Sequence, residues 1–155
     1  MEKELQTLGI IERLFSMGKK VYVPHITGDY MKMVPLYSSD LQHLKRDKLG
    51  IPVLPTREAV QPHILDLIIV PGLGFDIDCG RLGYGKGYYD RYFSLILEEC
   101  QNWGKRKPAF VGVGLLEQIV DEVPMEATDW RLDGLIIGDG RLHSRDPLAP
   151  ITDTR

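Results

Sequence analysis

Leu65-Asp66-Leu67-Ile68-Ile69-Val70 is a short, nearly continuous apolar run that Pro71 stops; six glycines follow by position 87, and apolar side chains then resume at helical spacing. Nothing else in the chain limits its fold as strongly. An apolar run of this length, ended by proline, marks a strand buried on both faces, as in a parallel sheet. Glycines at 72, 74, 80, 83, 85 and 87 let the backbone turn sharply and come close to a ligand. Tyr89, Tyr92, Phe93, Ile96, Leu97 and Cys100 then form one apolar stripe of a helix, with Tyr88 and Asp90 off it. Residues 109–114 and 132–137 supply two more apolar strands, with a short helix over 115–120 between them.

Ahead of this core, Leu5, Leu8, Ile11, Leu14 and Phe15 recur at helical spacing and Gly18 follows where a helix would end, so a helix is expected over about 4–17. Segments 20–24 and 31–37 flank the turn-like Thr27-Gly28-Asp29 and read as strands, with a short helix around 40–46. Pro52, Pro55 and Pro62 make the next stretch an extended connection with no domain boundary. The order of elements predicts a Rossmann-like α/β fold: a single three-layer domain over 1–145 with a mostly parallel sheet, followed by a polar tail over 146–155. Ligands of such folds bind beyond the carboxyl ends of strands, which is where the glycine loop lies.

A net charge of -3 gives no basic footprint for a nucleic-acid backbone. Cys79 and Cys100 have neither metal-ligand spacing nor the density of a disulfide scaffold, which fits a reducing cytoplasm. The first residues lack a basic region followed by an apolar one, and Asp66 breaks the most apolar stretch, so neither a signal peptide nor a membrane span is expected. A monomer is the default.

In Gly80-Arg81-Leu82-Gly83-Tyr84-Gly85-Lys86-Gly87-Tyr88-Tyr89-Asp90, glycines free backbone N–H groups, Arg81 and Lys86 add positive charge, and the loop opens into a helix N-terminus. That combination suits a polyphosphate. Gly80, Gly85 and Lys86 nearly meet the P-loop spacing, but Gly87 stands where a magnesium-binding Ser or Thr belongs, and the dinucleotide fingerprint is also incomplete. A glycine-rich turn that merely lets strand and helix pack closely is the plainer alternative. Asp90 falls in the first helical turn, where the helix dipole alone favours a carboxylate. Asp129 and Asp133 are either further metal ligands or solvated loop carboxylates. His25, His43, His63 and His143 show no ligand spacing, and no Ser or Cys sits in a nucleophile motif.

Val70-Pro71-Gly72-Leu73-Gly74-Phe75-Asp76, followed by Arg81-Leu82-Gly83-Tyr84-Gly85-Lys86-Gly87-Tyr88-Tyr89-Asp90, resembles the signature of the 5-formyltetrahydrofolate cyclo-ligases, also called methenyltetrahydrofolate synthetases. The similarity extends from Glu4-Leu5-Gln6-Thr7 through Val23-Pro24, Met31-Lys32-Met33 and Val123-Pro124 to Asp129 and Asp133. The resemblance implies ATP as co-substrate, magnesium, and 5-formyltetrahydrofolate as the small-molecule substrate. It implies an ATP site formed by Arg81, Leu82, Gly83, Tyr84, Gly85, Lys86, Gly87, Tyr88 and Tyr89, with Lys86 and Arg81 as the catalytic cations. Glu4, Tyr84, Gly85, Lys86, Gly87 and Tyr88 are implied to border the folate, and Asp90 and Asp129 to serve magnesium. The implied route needs no protein nucleophile: ATP phosphorylates the formyl oxygen, N10 attacks the activated carbon, and phosphate leaves.

Two departures accompany the match. Only Met1-Glu2-Lys3 stands where the family carries a basic helix and a first strand, so the sheet is expected to be one strand short and the ATP site to lack that helix. The stretch Gly50-Ile51-Pro52-Val53-Leu54-Pro55 lacks the family's acid. A second reading is therefore a shortened, non-catalytic relative that keeps a folate or nucleotide pocket. A third takes Gly80-Arg81-Leu82-Gly83 as the clamp loop of a KH-type RNA-binding domain, with Tyr84, Tyr88 and Tyr89 stacking on bases; the acidic balance opposes it.

Overall fold

The computed structural model describes residues 5–43, 45–46 and 52–145. Glu4, the Gly50-Ile51 pair and the tail 146–155, all named above, lie outside the described residues. Two compact units divide at the proline-rich connection, one over Gln6–Gln61 and one holding the residues from Pro62 onward.

In the first unit helix α1 spans Leu8–Ser16. Gly18 ends it as the sequence predicts: it takes φ +69°, and the N–H of Lys19 reaches back to the carbonyl of Leu14 at 3.0 Å. Strands β1 (Val21–Thr27) and β2 (Tyr30–Leu36) form an antiparallel hairpin in the register Val21↔Leu36 to Thr27↔Tyr30, closed by Gly28 at φ +58°. The helix expected near 40–46 is instead a 3-10 turn over Ser38–Gln42, followed by a two-residue pairing of β3 (Lys45–Arg46) with β4 (Pro52–Val53).

Arg57 fastens the proline-rich connection to this unit. Its guanidinium grips both carboxylate oxygens of Asp40 at 2.7 Å, donates to the carbonyl of Pro35 at 2.8 Å and lies over the Tyr37 ring. Hydrogen bonding from Arg57, opposed in part by desolvation and assisted by the N–H of Tyr37, lowers the Asp40 pKa to about 2.

In the second unit a 3-10 turn, Pro62–Ile64, leads into β5 (Leu67–Val70). His63 in that turn stacks on Trp103 at 4.7 Å and meets Glu99 at 3.4 Å, fixing the start of β5 against the end of the long helix. The glycine loop contains a minimal hairpin that the sequence did not disclose: β6 (Gly74–Phe75) pairs antiparallel with β7 (Arg81–Leu82). Helix α2 (Tyr88–Asn102) follows, then β8 (Ala109–Val113), a 3-10 turn over Leu116–Gln118, β9 (Gly134–Ile136) and β10 (Leu142–Ser144).

The main sheet has the order β10-β9-β8-β5. β5 runs parallel to β8 in the register Leu67↔Ala109 to Val70↔Gly112, β8 runs parallel to β9, and β10 returns antiparallel. A mostly parallel α/β sheet is thus present. The apolar stripe of α2 buries Tyr92, Phe93, Ile96 and Cys100, and Phe93 stacks on Phe110 of β8 at 4.1 Å. Burial of β5 is less complete than its run of apolar residues suggests: Ile68 and Val70 are buried, whereas Leu67 is 48% exposed. Among the described residues β5 is an edge strand, where one face is enough for the core.

Phe75 is fully buried, and its ring touches the space where a side chain at Gly72, Gly112 or Gly114 would have to sit. Three glycines therefore let the glycine loop lie directly on β8 and its continuation.

The Asp40 carboxyl is depressed in the folded chain, so its contribution to stability is complete above about pH 4 and is lost as the pH falls towards 2. Asp40→Asn should accordingly be less stable than the parent near neutral pH, with the gap largely closed by about pH 2. Thermal unfolding of both chains across that range measures it; a gap independent of pH would show that the Arg57 pair is not the cause.

Candidate active site

The carboxyl end of β5 opens into a loop that a single carboxylate organises. Asp76 is 2% exposed, and its Oδ1 accepts the N–H groups of Asp78 at 3.0 Å and Gly80 at 2.8 Å. Its Oδ2 accepts the N–H of Val123 at 2.9 Å. Charge-assisted bonds of this kind are the strong ones, and here they close the β6–β7 hairpin. A side chain at Gly80 would collide with the same carboxylate, which accounts for that glycine. Cys79 completes the turn at φ +63°, the one non-glycine residue at positive φ among the described residues. Its buried thiol is pushed up in pKa by desolvation.

Arg81 emerges from this turn with its side chain only 5% exposed. Its Nη2 donates to both oxygens of Asp90, at 2.9 and 3.1 Å, and its guanidinium lies 5.6 Å from the Tyr89 ring centre. Gly83 is held close by the same group: a Cβ there would approach Arg81 Nη1 to 2.9 Å. Arg81 Nε is buried without a hydrogen-bond partner among the described residues. Arg81, Gly83, Tyr89 and Asp90 are therefore brought together, and the ion pair braces β7 against the first turn of α2. The middle of the Gly80–Gly83 segment, Arg81 and Leu82, is strand, with Arg81 turned inward, unlike the exposed clamp of an RNA-binding loop.

Beyond that brace the chain opens outward. Leu82 and Tyr84 are 43% and 61% exposed, Gly85 takes φ +76° with open space where a side chain would lie, and Lys86 is exposed. Lys86 has no ion pair or hydrogen bond among the described residues. Gly87 caps α2 at φ +64° with no side-chain cap, and a Cβ there would come within 3.0 Å of Arg91 Nη1. The first N–H groups of a fifteen-residue helix thus open onto a loop carrying an uncommitted ammonium. Both features attract anions. Tyr88 begins the helix with Arg91 across its ring at 5.4 Å. Tyr89 packs against Phe93, and desolvation, offset in part by Arg81, raises its phenol pKa to about 12, so it stays neutral at neutral pH.

One turn further along α2, Ser94 lines a pocket of about 230 Å³ with Ala127, Thr128, Asp129 and Trp130. Asp129 sits there half-buried; its Oδ2 accepts the N–H of Glu126 at 2.8 Å and its Oδ1 has no partner among the described residues. Asp133 is committed elsewhere, to Lys107 at 2.6 Å and to the N–H of Phe110 at 2.8 Å. No three His, Cys, Asp or Glu side chains converge among the described residues. Magnesium needs only one or two carboxylates, completing its shell with water and substrate phosphates. Asp129 keeps an oxygen free, and each Asp90 oxygen retains a lone pair beyond the one facing Arg81. In the sequence Asp76 stands only as the last residue of the Val70–Asp76 motif, with no role to be read from it. An acid before a glycine-rich turn is the one signal that marked it.

A family model described as the 5-formyltetrahydrofolate cyclo-ligase family matches residues 1–138. A 5-formyltetrahydrofolate cyclo-ligase of Saccharomyces cerevisiae is 34% identical over 158 residues, covering 90% of this chain and 72% of the yeast protein. The Mus musculus protein of the same name is 35% identical over 146 residues, covering 90% and 70%. Among solved structures, an Aquifex aeolicus 5,10-methenyltetrahydrofolate synthetase superposes with a TM-score of 0.67 at 27% identity, over 92% of this chain and 66% of that one.

Replacing Arg81 by methionine keeps bulk but strips the Asp90 carboxylate of its partner. Since Asp90 is about one-quarter exposed, the expected cost is discounted from that of a buried pair to about 2 kcal/mol of unfolding free energy. Denaturant titration measures it. Unchanged stability together with lost nucleotide binding would mean that Arg81 turns to the ligand rather than to Asp90.

Proposed function

This chain belongs to the 5-formyltetrahydrofolate cyclo-ligase family, and from that premise we propose that it converts 5-formyltetrahydrofolate to 5,10-methenyltetrahydrofolate with consumption of ATP. The observation that carries the reading is the juxtaposition of exposed Lys86, the open backbone at Gly85 and the N-terminus of α2 on one loop. Phosphoryl transfer asks a protein for position and charge neutralisation more than for a nucleophile.

In this proposal the backbone from Gly83 to Tyr88 and the Lys86 ammonium hold the ATP phosphates, with Leu82 and Tyr89 at the loop's base. The exposed Tyr84 ring and the Tyr88 ring offer flat faces to the folate. Arg81 acts through its bond to Asp90, keeping the loop seated where the γ-phosphoryl group meets the formyl oxygen. After transfer, N10 forms its bond to the formyl carbon, the carbon–oxygen bond breaks, phosphate departs, and the N10 proton passes to solvent. Asp90 and Asp129 would hold magnesium, which when bound offsets the charge of the phosphates. Two free, buried cysteines, Cys79 and Cys100, suit a reducing compartment, and we place the protein in the cytoplasm. No helix among the described residues is long and apolar enough to cross a membrane.

Lys86→Ala should weaken ATP binding by about tenfold or more, the worth of one charge-assisted hydrogen bond, and leave the unfolding temperature unchanged because the side chain supports nothing else. Calorimetric titration with ATP, set beside the rise in absorbance of the methenyl product, checks both halves. Equal ATP affinity in variant and parent would remove Lys86 from the phosphate site.

A further inference from the structure

The loop that carries Asp129 is held at both ends by the turn that launches the glycine loop. At its near end the N–H of Val123 bonds Asp76 Oδ2 at 2.9 Å. At its far end Arg131 donates to the carbonyl of Asp78 at 3.2 Å, and the N–H of Leu132 bonds the carbonyl of Cys79 at 3.0 Å. Between these anchors a tight turn joins Glu126 and Asp129 through two further bonds. The other oxygen of Asp76 faces Gly80, the residue from which Arg81 and the exposed glycine stretch depart.

We propose that Asp76 is a positioning residue of the reaction: one carboxylate, bonding the glycine loop with Oδ1 and the Asp129 loop with Oδ2, fixes the spacing between the phosphate-binding backbone and the magnesium-binding carboxylate. The inference rests on the reading of Asp129 given above. A carboxylate is required because its partners, three backbone N–H groups and the Arg131 guanidinium 4.0 Å from Oδ1, are all donors, and only an acceptor with two oxygens meets them on both sides. Asp76 is buried beneath the two loops it bonds, so its influence passes through them. Groups that orient a metal ligand from behind typically matter by about 10–100-fold in metal affinity or activity.

Asp76→Asn separates the two tasks. The amide oxygen takes the Oδ1 place, where it keeps two hydrogen bonds, and the amide nitrogen then confronts the N–H of Val123, donor against donor. The amide of Val123 should exchange with deuterium at least about tenfold faster, with Asp78 and Gly80 unchanged. ATP affinity without magnesium should stay within about twofold of the parent, while the gain in ATP affinity on adding magnesium shrinks by about tenfold or more. Arg131→Met, at a half-exposed position, removes both the far anchor on Asp78 and the cation 4.0 Å from Asp76 Oδ1; it should move the magnesium-dependent gain the same way by a smaller factor, and it carries the test if Asp76→Asn does not fold. Unchanged Val123 exchange would overturn the inference, as would faster exchange with an intact magnesium effect, which marks Asp76 as structural only. Absence of methenyl product from the parent chain would instead overturn the proposed function, leaving the exchange and ATP-binding results to decide the role of Asp76.

Discussion

The buried carboxylate of Asp76 is the interaction on which the site depends. A charge with 2% exposure is costly unless every lone pair that faces protein is met, and here three backbone N–H groups meet it. Those donors come from two stretches far apart in sequence, so satisfying one side chain fixes two loops at once. The turn around it is also unfavourable by itself, with Cys79 in the left-handed region where a Cβ is disfavoured. The three strong bonds to Asp76 and the burial of Phe75 beneath them offset that strain.

A division of labour between the two cations follows from burial. Arg81 lies almost wholly inside, and its planar fork spends itself on Asp90 and on the ring of Tyr89. Lys86, four residues from Asp90, is in solvent with its charge uncommitted. A buried guanidinium keeps its charge under all ordinary conditions and suits a permanent brace, whereas an ammonium on a flexible stem can follow a phosphate. The loop therefore has a braced root and an exposed tip.

Much of this was legible in the sequence because it rests on local rules. The stripe from Tyr92 to Cys100 gave α2, Gly18 gave the end of α1, and the apolar runs gave three strands of the sheet. The resemblance in the glycine loop gave the family. What could not be read depended on partners distant in the chain. The residues between Arg81 and Asp90 did not reveal that those two would pair, since nothing in composition says whether a cation in a loop points inward. The role of Asp76 was hidden for the same reason, its third donor being Val123. The β6–β7 hairpin escaped notice because two-residue strands rich in glycine have no periodicity to detect. The clustering of the chain into two compact units at the proline-rich connection was not legible either, because prolines that merely extend a chain and prolines that separate two clusters look alike in sequence.

The parallel pairing of β5 with β8 has a bearing on how this unit assembles. Its two hairpins close over a few residues, but Leu67 can find Ala109 only after the glycine loop and the whole of α2 have been looped out. Closing so long a segment costs entropy before any contact returns it, and the seven glycines in it make the disordered chain especially reluctant to settle. Parallel pairings of this kind govern the pace of folding. The glycine loop is thus seated only by contacts that close long segments of the unit, the β5–β8 pairing and the bond of Val123 to Asp76 among them. Ligand present during folding would not guide the early steps; it would act at the end, drawing molecules that have just closed the sheet away from those still open.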